Sequence, residues 1–349
     1  MVFVSRHSVP AEFVRLRDDK VGLDGVIAIH STARGPAAGG CRLWAYDDLN
    51  AASADALKLA EGMSYKNAMA DLPFGGGKAV LRRPTGDFDR VALFEAFGQA
   101  VERLEGRYVT AEDVGTTVAD MEAAGQHTRH VAGRTTRAGY AGGDPSPWTA
   151  LGVFEAMKAA AQFRFGSTLS GLTVAVLGVG NVGLHLCRLL NAAGANLVVA
   201  DIDPHRAARA VESCGGQAID VAEIAALPCE VFAPCALGGV LDQATVSGLK
   251  AQIVCGAANN QLASPEAAAL LLRRGISYAP DYVVNAGGII NVAAEYLGES
   301  EQEVRGRVMK IGPRTAAILE QAAESGVSPS LVADRMAEDL MKREACEAA

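Results

Sequence analysis

Hydrophobic and polar residues alternate in short blocks along the first part of the chain, which predicts a mixed α/β domain. Residues 21–30 read VGLDGVIAIH, where a turn-like Leu23-Asp24-Gly25 adjoins a β-forming run, so a hairpin or meander is expected. Apolar residues recur at helical spacing over residues 51–70. The other elements predicted here are a breaker cluster at 72–78, a strand at 79–81, a helix at 91–104 and a strand at 107–110.

Strand-like and helix-like blocks alternate regularly in the second part of the chain. A Gly/Pro-rich stretch, GGDPSPWTA, begins at Gly142, and such stretches commonly join domains. Beyond it, helices are predicted at residues 151–162, 182–192 and 206–214, and strands at 173–177, 196–200, 230–233 and 252–256. This alternation indicates a doubly wound parallel sheet.

The predicted elements imply an α/β protein of two domains. We expect a first domain at residues 1–142 and a second at 143–329, with the hinge at Gly142. The last part of the chain, from Ser300 onward, is predicted to form two helices. The final one, at about residues 330–349, is expected to pack back on the first domain.

Composition and charge exclude several classes of protein. The 349 residues carry a formal net charge of −8, whereas binding to phosphate backbones needs clustered Lys and Arg, so no nucleic-acid partner is expected. Charges interrupt every apolar run, and the opening MVFVSRHSVPAEF lacks the apolar core of a signal peptide. We therefore expect no membrane partner and a cytoplasmic protein. The seven cysteines are scattered without a C-x-x-C pair, so neither disulfides nor a metal site is expected.

A glycine-rich motif after the strand-like TVAVL predicts a dinucleotide site. It matches G-x-G-x-x-G between a strand and a helix, the context that this motif requires. The glycines allow a tight turn, a close approach to a pyrophosphate and close helix packing, and the helix start supplies N–H groups. The motif residues are Gly178, Val179, Gly180, Asn181, Val182 and Gly183.

The end of the following strand indicates which dinucleotide binds. Asp201 is placed where a carboxylate bonds the ribose diol and repels a 2′-phosphate, so NAD is the expected cofactor. Arg206 leaves an NADP-linked biosynthetic enzyme as an alternative. Turns after later strands should lie at the same sheet edge, and Asn260 and Asn285 are candidates to hold the nicotinamide amide or else simple turn formers. The other residues expected at that edge are Cys235, Ala236 and Ala257.

Two lysines and one aspartate are the candidates for chemistry. Lys66 and Lys78 stand in apolar or small-residue surroundings, and three glycines before Lys78 would let a ligand approach closely. If both face one pocket, repulsion and desolvation would favour a neutral amine that can act as acid or base. Otherwise they are surface lysines. Asp113 follows a predicted strand and is either catalytic or a turn former. His127 and His130 are expected on a helix surface.

Several longer strings together resemble the leucine and phenylalanine dehydrogenases, and the closer likeness is to the leucine dehydrogenases. The resemblance is collinear over nearly the whole chain and implies a substrate domain and a Rossmann domain across a cleft, NAD, and homo-oligomers. The strings are GPAAGGCR, GMSYKNA, GGGKAV, TAEDVGTT, DPSPWTALGV, GVGNVG, FAPCALGG, GAANNQL and APDYVVNAGGIINV.

The resemblance also implies roles for individual residues. Gly39 and Gly40 would approach the substrate carboxylate through their backbone, and Lys66 would pair with it. Lys78 would activate the water that attacks the imino acid, and Asp113 would exchange a proton with the amine or carbinolamine. The products would be a 2-oxo acid and ammonia, and no metal would take part.

The residues expected around the substrate side chain are apolar, which favours leucine or another branched-chain amino acid. They are Ala38, Ala111, Ile289 and Val292. Glutamate dehydrogenases have a lysine where this chain has Ala38, so an acidic substrate is not expected. Leucine dehydrogenases typically have a leucine there, and the smaller alanine should enlarge the pocket. A phenylalanine dehydrogenase with the same mechanism is therefore an alternative, and a non-catalytic NAD-sensing protein is an alternative of another class.

Overall fold

The computed structural model describes residues 11–135 and 140–347, which form two compact units. The first contains the described residues of Met1–Gly143, Ile289–Val304 and Ala337–Ala349, and the second contains Asp144–Gly288 and Arg305–Met336. The chain passes from the first unit to the second after Gly143, next to the expected hinge at Gly142. Ile289–Val304 lies in the first unit, although its residues fall within the predicted second domain. Residues 1–10, which bear on the absence of a signal peptide, lie outside the described part.

The described residues form twelve strands and fourteen helices. The strands are β1 (Glu12–Asp18), β2 (Leu23–Ser31), β3 (Ala37–Ala38), β4 (Cys41–Trp44), β5 (Gly75–Arg82), β6 (Tyr108–Val109), β7 (Thr173–Leu177), β8 (Asn196–Ala200), β9 (Gln217–Ala218), β10 (Val231–Pro234), β11 (Ile253–Val254) and β12 (Ser277–Tyr278). The helices are α1 (Leu49–Met69), α2 (Arg90–Glu102), α3 (Val118–Ala124), α4 (Ser146–Phe165), α5 (Asn181–Ala192), α6 (Pro204–Cys214), α7 (Val221–Ile224), α8 (Gln243–Gly248), α9 (Pro265–Arg273), α10 (Asp281–Val284), α11 (Gly287–Leu297), α12 (Glu301–Val308), α13 (Ile311–Ser325) and α14 (Pro329–Glu347).

The first unit is built on a mixed sheet with helices on both faces. Its strand order is β1-β2-β5-β3-β6, and β4 also pairs with β5. The antiparallel β1–β2 pair confirms the expected hairpin, but its turn lies at residues 19–22, and the supposedly turn-like Leu23-Asp24-Gly25 belongs to β2. Successive residues of β2 face opposite sides of the sheet. Val26 packs with Ala52, Ala56 and Ala60 of α1, where a stripe of small residues lets the helix lie close, whereas Ile27 belongs to the core that contains Phe94 and Phe97 of α2.

Three glycines that were expected to break the chain are instead the start of β5. A Cβ atom on Gly75 would lie 1.9 Å from the Ser31 carbonyl oxygen, and one on Gly76 would lie 2.2 Å from the Ser64 nitrogen. A Cβ atom on Gly77 would lie 2.8 Å from the Tyr108 ring. The breaker prediction is wrong there because the glycines serve the close approach of neighbouring backbone and rings rather than a turn.

The second unit contains the predicted parallel sheet. Its strand order is β12-β11-β10-β7-β8-β9, and every pairing in it is parallel. Strands β7 and β8 have the predicted bounds. Helices α5 and α6 follow them in turn, so the expected Rossmann-type alternation is confirmed.

The C-terminal part forms three helices rather than the predicted two. The chain leaves helical geometry after Val308 and resumes it at Ile311, and Pro313 lies in the first turn of α13. Proline suits a first turn because its missing N–H would have no helical partner there. Across the described ranges, no helix is sufficiently long and apolar to cross a membrane.

Candidate active site

Lys78 and Asp113 form the centre of the candidate site in the first unit. Lys78 is buried on β5, and its Nζ lies 2.7 Å from Asp113 Oδ2. Asp113 follows an isolated parallel bridge between Glu112 and Cys41, which brings the loop after β6 beside β4. The fold therefore joins two residues that were predicted separately.

The loop that carries Asp113 is fixed by Thr116. The Asp113 N–H donates to Thr116 Oγ1 at 2.9 Å, and this hydroxyl lies 3.0 Å from the Cys41 carbonyl oxygen, to which it can donate. The Thr116 N–H donates to the Asp113 carbonyl at 3.0 Å. This tight turn positions the carboxylate, so turn formation at Asp113 is compatible with the predicted role in the site.

Arg42 is a further charged residue at this centre. Its Nε lies 3.3 Å from the same Oδ2 of Asp113, and its Nη1 lies 2.9 Å from Asp55 Oδ2. The Tyr46 hydroxyl donates to Asp55 as well. Nothing in the spacing of the sequence singles out Arg42. The one available signal is a cation two residues after the glycine pair in GPAAGGCR.

The surroundings of Asp113 favour its ionised form. Burial alone raises the pKa of this carboxyl, but the charge and hydrogen bond of Lys78, the charge of Arg42 and a backbone hydrogen bond from Val114 outweigh burial. The pKa of Asp113 therefore lies below its ordinary value. A carboxylate that stays ionised can accept a proton from a bound ligand.

The glycine pair lies directly against this centre. A Cβ atom on Gly40 would lie 2.7 Å from Asp113 Cβ, and one on Gly39 would lie 1.9 Å from the Gly77 carbonyl oxygen. The Tyr108 hydroxyl donates to the Gly39 carbonyl at 2.6 Å and accepts from the Ala79 N–H at 3.0 Å. Because the Gly39 N–H already donates to the Val109 carbonyl, Gly39 contributes its small size more than its N–H.

Lys66 lies half-buried in the last turn of α1. The next residue, Asn67, is buried and donates from Nδ2 to the Gly75 carbonyl at 2.6 Å and to the Ala38 carbonyl at 3.3 Å. These bonds tie the end of α1 to β5 and β3, the strands that carry Lys78 and Ala38. The pairing of Lys66 with a substrate carboxylate stays a prediction.

A small apolar cavity in the first unit brings together the four residues expected around the substrate side chain. Ala38, Ala111, Ile289 and Val292 all line it, as does Gly39. Phe74 and Tyr296 line it too, which the sequence pattern did not indicate. The cavity volume is about 20 Å³, enough for roughly one water molecule. Within residues 11–135 and 140–347, no charged side chain lines this cavity.

His130 is buried, contrary to the expectation of a helix surface. It lies beyond the end of α3, and its Nδ1 is 3.0 Å from the Tyr296 hydroxyl. Burial lowers the pKa of the His130 imidazole, so its neutral form is favoured. His127 is exposed.

The glycine motif of the second unit has the geometry of a dinucleotide site. Gly178 has a φ of 94°, and a Cβ atom there would lie 2.7 Å from that of Ala236. A Cβ atom on Gly183 would lie 2.0 Å from the Gly178 carbonyl oxygen, so only glycine permits this helix-to-strand packing. Helix α5 begins at Asn181, with Val182 in its first turn, and directs its initial N–H groups toward this loop.

Asp201 directly follows β8 and accepts a hydrogen bond from the glycine loop. One carboxylate oxygen accepts from the Val179 N–H at 2.8 Å and the other from the Asp203 N–H at 2.9 Å. Two large aliphatic side chains that follow strands of this sheet are nearly fully exposed, Ile202 after β8 at 87% and Leu237 after β10 at 84%. Such exposure suits the apolar face of a bound ring, and the sequence pattern did not single out either residue.

The other residues expected at the cofactor lie in the turns after β10 and β11 and, for Asn285, at the end of α10. Asn285 is buried, and its Nδ2 donates to the Ala257 carbonyl at 3.1 Å and to Asn259 Oδ1 at 2.9 Å. Among the described residues its Oδ1 has no partner, and a buried oxygen of this kind fits the amide N–H of a ligand. Asn260 is exposed with a φ of 52°, the conformation of a turn former. Burial raises the pKa of the Cys235 thiol to about 12, which disfavours the thiolate.

Family models match both parts of the chain. A model described as the dimerisation domain of Glu/Leu/Phe/Val dehydrogenase matches residues 9–130. A second, described as glutamate/leucine/phenylalanine/valine dehydrogenase, matches residues 204–342.

Individual proteins match over nearly the full chain. The leucine dehydrogenase of Geobacillus stearothermophilus is 47% identical over 93% of this chain and 88% of its own. The valine dehydrogenase of Streptomyces albus is 47% identical over 95% and 92%. The crystal structure of L-tryptophan dehydrogenase from Nostoc punctiforme is 40% identical, with a TM-score of 0.86 over 95% of this chain and 96% of that one.

Proposed function

Since this chain belongs to the glutamate/leucine/phenylalanine/valine dehydrogenase family, we propose that it catalyses the reversible, NAD-dependent oxidative deamination of a hydrophobic L-amino acid. Branched-chain amino acids are the favoured substrates, and the products are the 2-oxo acid and ammonia. The observation that carries this proposal is the ion pair between buried Lys78 and half-buried Asp113, beside a glycine edge in the unit that also holds the apolar cavity.

Substrate recognition divides into a polar end and an apolar end. Lys66 pairs with the substrate carboxylate, and the backbone at Gly39 and Gly40 leaves the space that the carboxylate needs. The side chain enters the cavity between Ala38, Ala111, Ile289 and Val292. A carboxylate in this cavity would lack a cation, which costs several kcal/mol, so glutamate should be a poor substrate.

Lys78 and Asp113 carry the proton transfers. Asp113 accepts a proton from the substrate ammonium, so that the nitrogen lone pair can form the C=N bond as hydride leaves Cα. A bound nicotinamide dinucleotide supplies the hydride acceptor. Lys78 gives up its ammonium proton to solvent and, as a neutral amine, deprotonates the water that attacks the imino carbon. Asp113 returns its proton to the nitrogen of the carbinolamine. Ammonia then leaves with the electrons of the C–N bond, and the carbinolamine hydroxyl gives its proton back to Asp113 as the C=O bond of the 2-oxo acid forms.

The cofactor residues belong to the second unit. Gly178, Gly180 and Gly183, with the N–H groups of Asn181 and Val182, suit the pyrophosphate, and the unpartnered Asn285 Oδ1 suits the nicotinamide amide. Cys235, Ala236, Ala257 and Asn260 complete the proposed cofactor contacts. NAD is favoured over NADP because the Asp201 carboxylate repels a 2′-phosphate. The charge of Arg206, which could attract that phosphate, is partly neutralised by Asp203 at 3.6 Å.

The experiment that tests the function is an assay of NADH formation with leucine, valine, isoleucine, phenylalanine and glutamate. We expect turnover of the branched-chain substrates and almost none of glutamate. NADH binding without turnover of any of them would overturn the proposal in favour of an NAD-sensing protein.

We also propose that the protein forms a homo-oligomer through its first unit. The match of residues 9–130 to a dimerisation domain supports this. Light scattering coupled to size-exclusion chromatography tests it, and a monomeric mass at micromolar concentration would contradict it.

A further inference from the structure

Helix α11 carries a half-buried carboxylate in addition to the residues that line the side-chain cavity. Ile289, Val292 and Tyr296 line the cavity at the three- and four-residue spacing of one helix face. Glu295 belongs to the same helix but does not line the cavity. The proposed reaction assigns no role to this carboxylate.

The Glu295 carboxylate accepts hydrogen bonds from two consecutive backbone N–H groups. Its Oε2 lies 3.2 Å from the Gly133 nitrogen, and its Oε1 lies 2.9 Å from the Arg134 nitrogen. Hydrogen bonds to an ionised acceptor are about twice as strong as those between neutral groups. Glu295 therefore fixes the end of residues 130–134, which we call the support segment.

The support segment pairs with the start of the loop that carries Asp113. The Thr110 N–H donates to the His130 carbonyl at 3.0 Å, and the Ala132 N–H donates to the Thr110 carbonyl at 2.9 Å. These two bonds place the support segment beside the loop in the manner of a neighbouring parallel strand.

Glu112 lies between the support segment and β4. On one side, a Cβ atom on Gly133 would be 3.3 Å from the Glu112 nitrogen. On the other side, Glu112 forms an isolated parallel bridge with Cys41. Both contacts are made by the residue directly before Asp113, so a shift of the support segment would reach Asp113.

We propose that Glu295 is a positioning residue that holds Asp113 beside Lys78 by fixing the support segment against Glu112. The inference rests on the proposed function for the reaction that Lys78 and Asp113 carry out. The contacts from Glu295 to the loop do not depend on that function. Because α11 also lines the side-chain cavity, Glu295 connects the wall of the cavity to the loop of the proposed catalytic aspartate.

The first test is the replacement of Glu295. Glu295→Ala removes both hydrogen bonds to the support segment, and we expect kcat to fall about 10- to 100-fold, as a misplacement of about 1 Å can cause. The NADH Kd should not change, because the proposed cofactor residues belong to the second unit. Glu295→Gln keeps one oxygen that can accept, so its kcat should lie between those of wild type and Glu295→Ala. The glutamine variant also serves if the alanine variant does not fold.

Glu230→Ala is the matched control. The Glu230 carboxylate also accepts from a backbone N–H, that of Thr173 at 2.7 Å, but it belongs to the second unit. Its replacement should lower the thermal unfolding midpoint and leave both kcat and the pH profile unchanged.

The pH profile separates a positioning role from a purely structural one. A longer Lys78–Asp113 contact would raise the pKa of Asp113, because Lys78 is one of the two cations that lower it, with Arg42. The acid limb of kcat/KM should therefore move to higher pH in Glu295→Ala. Loss of the Glu295 charge, or of its own protonation, would instead move the limb to lower pH. A limb that stays in place or moves to lower pH would overturn the inference.

Amide hydrogen exchange tests the same connection without turnover. The amides of residues 110–116 exchange slowly while the loop keeps its hydrogen-bonded geometry. Peptides that contain these residues should exchange faster in Glu295→Ala and at the wild-type rate in Glu230→Ala. Wild-type exchange of residues 110–116 in folded Glu295→Ala would overturn the inference. If the wild-type protein turns over no amino acid, the proposed function fails, and exchange still decides whether Glu295 positions the loop.

Discussion

Lys78 Nζ lies 2.7 Å from Asp113 Oδ2, and Arg42 approaches the same oxygen at 3.3 Å. Two cations on one carboxylate oxygen outweigh the effect of burial, so the pKa of Asp113 lies below its ordinary value. The pair therefore stabilises the fold above the ordinary carboxyl pKa, and this contribution is lost as the pH falls through the lowered value. The same lowering keeps Asp113 ready to accept a proton at neutral pH.

Replacement of Lys78 should abolish most turnover without loss of cofactor binding. We expect Lys78→Ala to lower kcat by about 10²- to 10⁴-fold, the usual contribution of a general acid or base. Lys78→Arg should be similarly impaired, because a guanidinium keeps the charge beside Asp113 but cannot give up a proton. Steady-state kinetics and NADH fluorescence titration measure the two properties.

Lys158→Ala is the control for this prediction. Lys158 pairs with Glu155 at 2.8 Å in the second unit and has no proposed role in the reaction. Its loss should leave kcat unchanged. Wild-type kcat in Lys78→Arg would contradict the role of Lys78 as a proton carrier.

Removal of Arg42 should shift the pH profile. Arg42 is one of the cations that lower the pKa of Asp113, so this pKa rises in Arg42→Gln. Lys78 on β5, which also lowers the pKa of Asp113, remains in this variant. Because Asp113 must be ionised to accept a proton, the acid limb of kcat/KM should move to higher pH.

Arg107→Gln provides the comparison for Arg42→Gln. Arg107 pairs with Glu12 on the surface of the same unit, and its loss should leave the pH profile where it is. If the acid limbs of both variants coincide with that of wild type, Asp113 is not the group that controls the limb.

Features set by local sequence could be predicted, and features set by distant partners could not. The bounds of β7 and β8 follow from short apolar runs that each come soon after a glycine, and the G-x-G-x-x-G motif is also a pattern of neighbouring residues. By contrast, the glycines of β5 were expected to form a turn, because their need for small size comes from Ser31, Ser64 and Tyr108. Likewise, Arg42 bonds Asp113 and His130 bonds Tyr296. Each partner lies far away in the sequence, so the spacing of residues does not indicate the contact.

Loss of Asp120 should destabilise the first unit. Its carboxylate accepts from two Arg90 nitrogens, each at 2.7 Å, and from the Thr117 N–H at 2.7 Å, which caps α3. Asp120→Ala removes the cap and leaves Arg90 without this partner, at a cost of about 1 to 3 kcal/mol. Urea unfolding should show a lower midpoint for this unit.

Asp19→Ala, which breaks the exposed Arg17–Asp19 ion pair, is the control for Asp120→Ala. Asp19→Ala should leave the unfolding midpoint unchanged, because solvent screens this pair. Equal midpoints for Asp120→Ala and Asp19→Ala would show that the Arg90 contacts add no stability.

Asp201 should control the choice between the two nicotinamide dinucleotides. Asp201→Asn keeps an oxygen that can accept from the Val179 N–H but removes the charge that repels a 2′-phosphate. We expect the ratio of the NADPH Kd to the NADH Kd to fall by about 10-fold, equivalent to ~1.4 kcal/mol. Fluorescence titration with both dinucleotides measures this ratio without turnover. Asp220→Asn is the control, because it changes a carboxylate that caps α7 by accepting from the Ala222 N–H at 2.7 Å, and it should leave the ratio unaltered. A ratio that stays constant in Asp201→Asn would assign the discrimination to other residues of the loop.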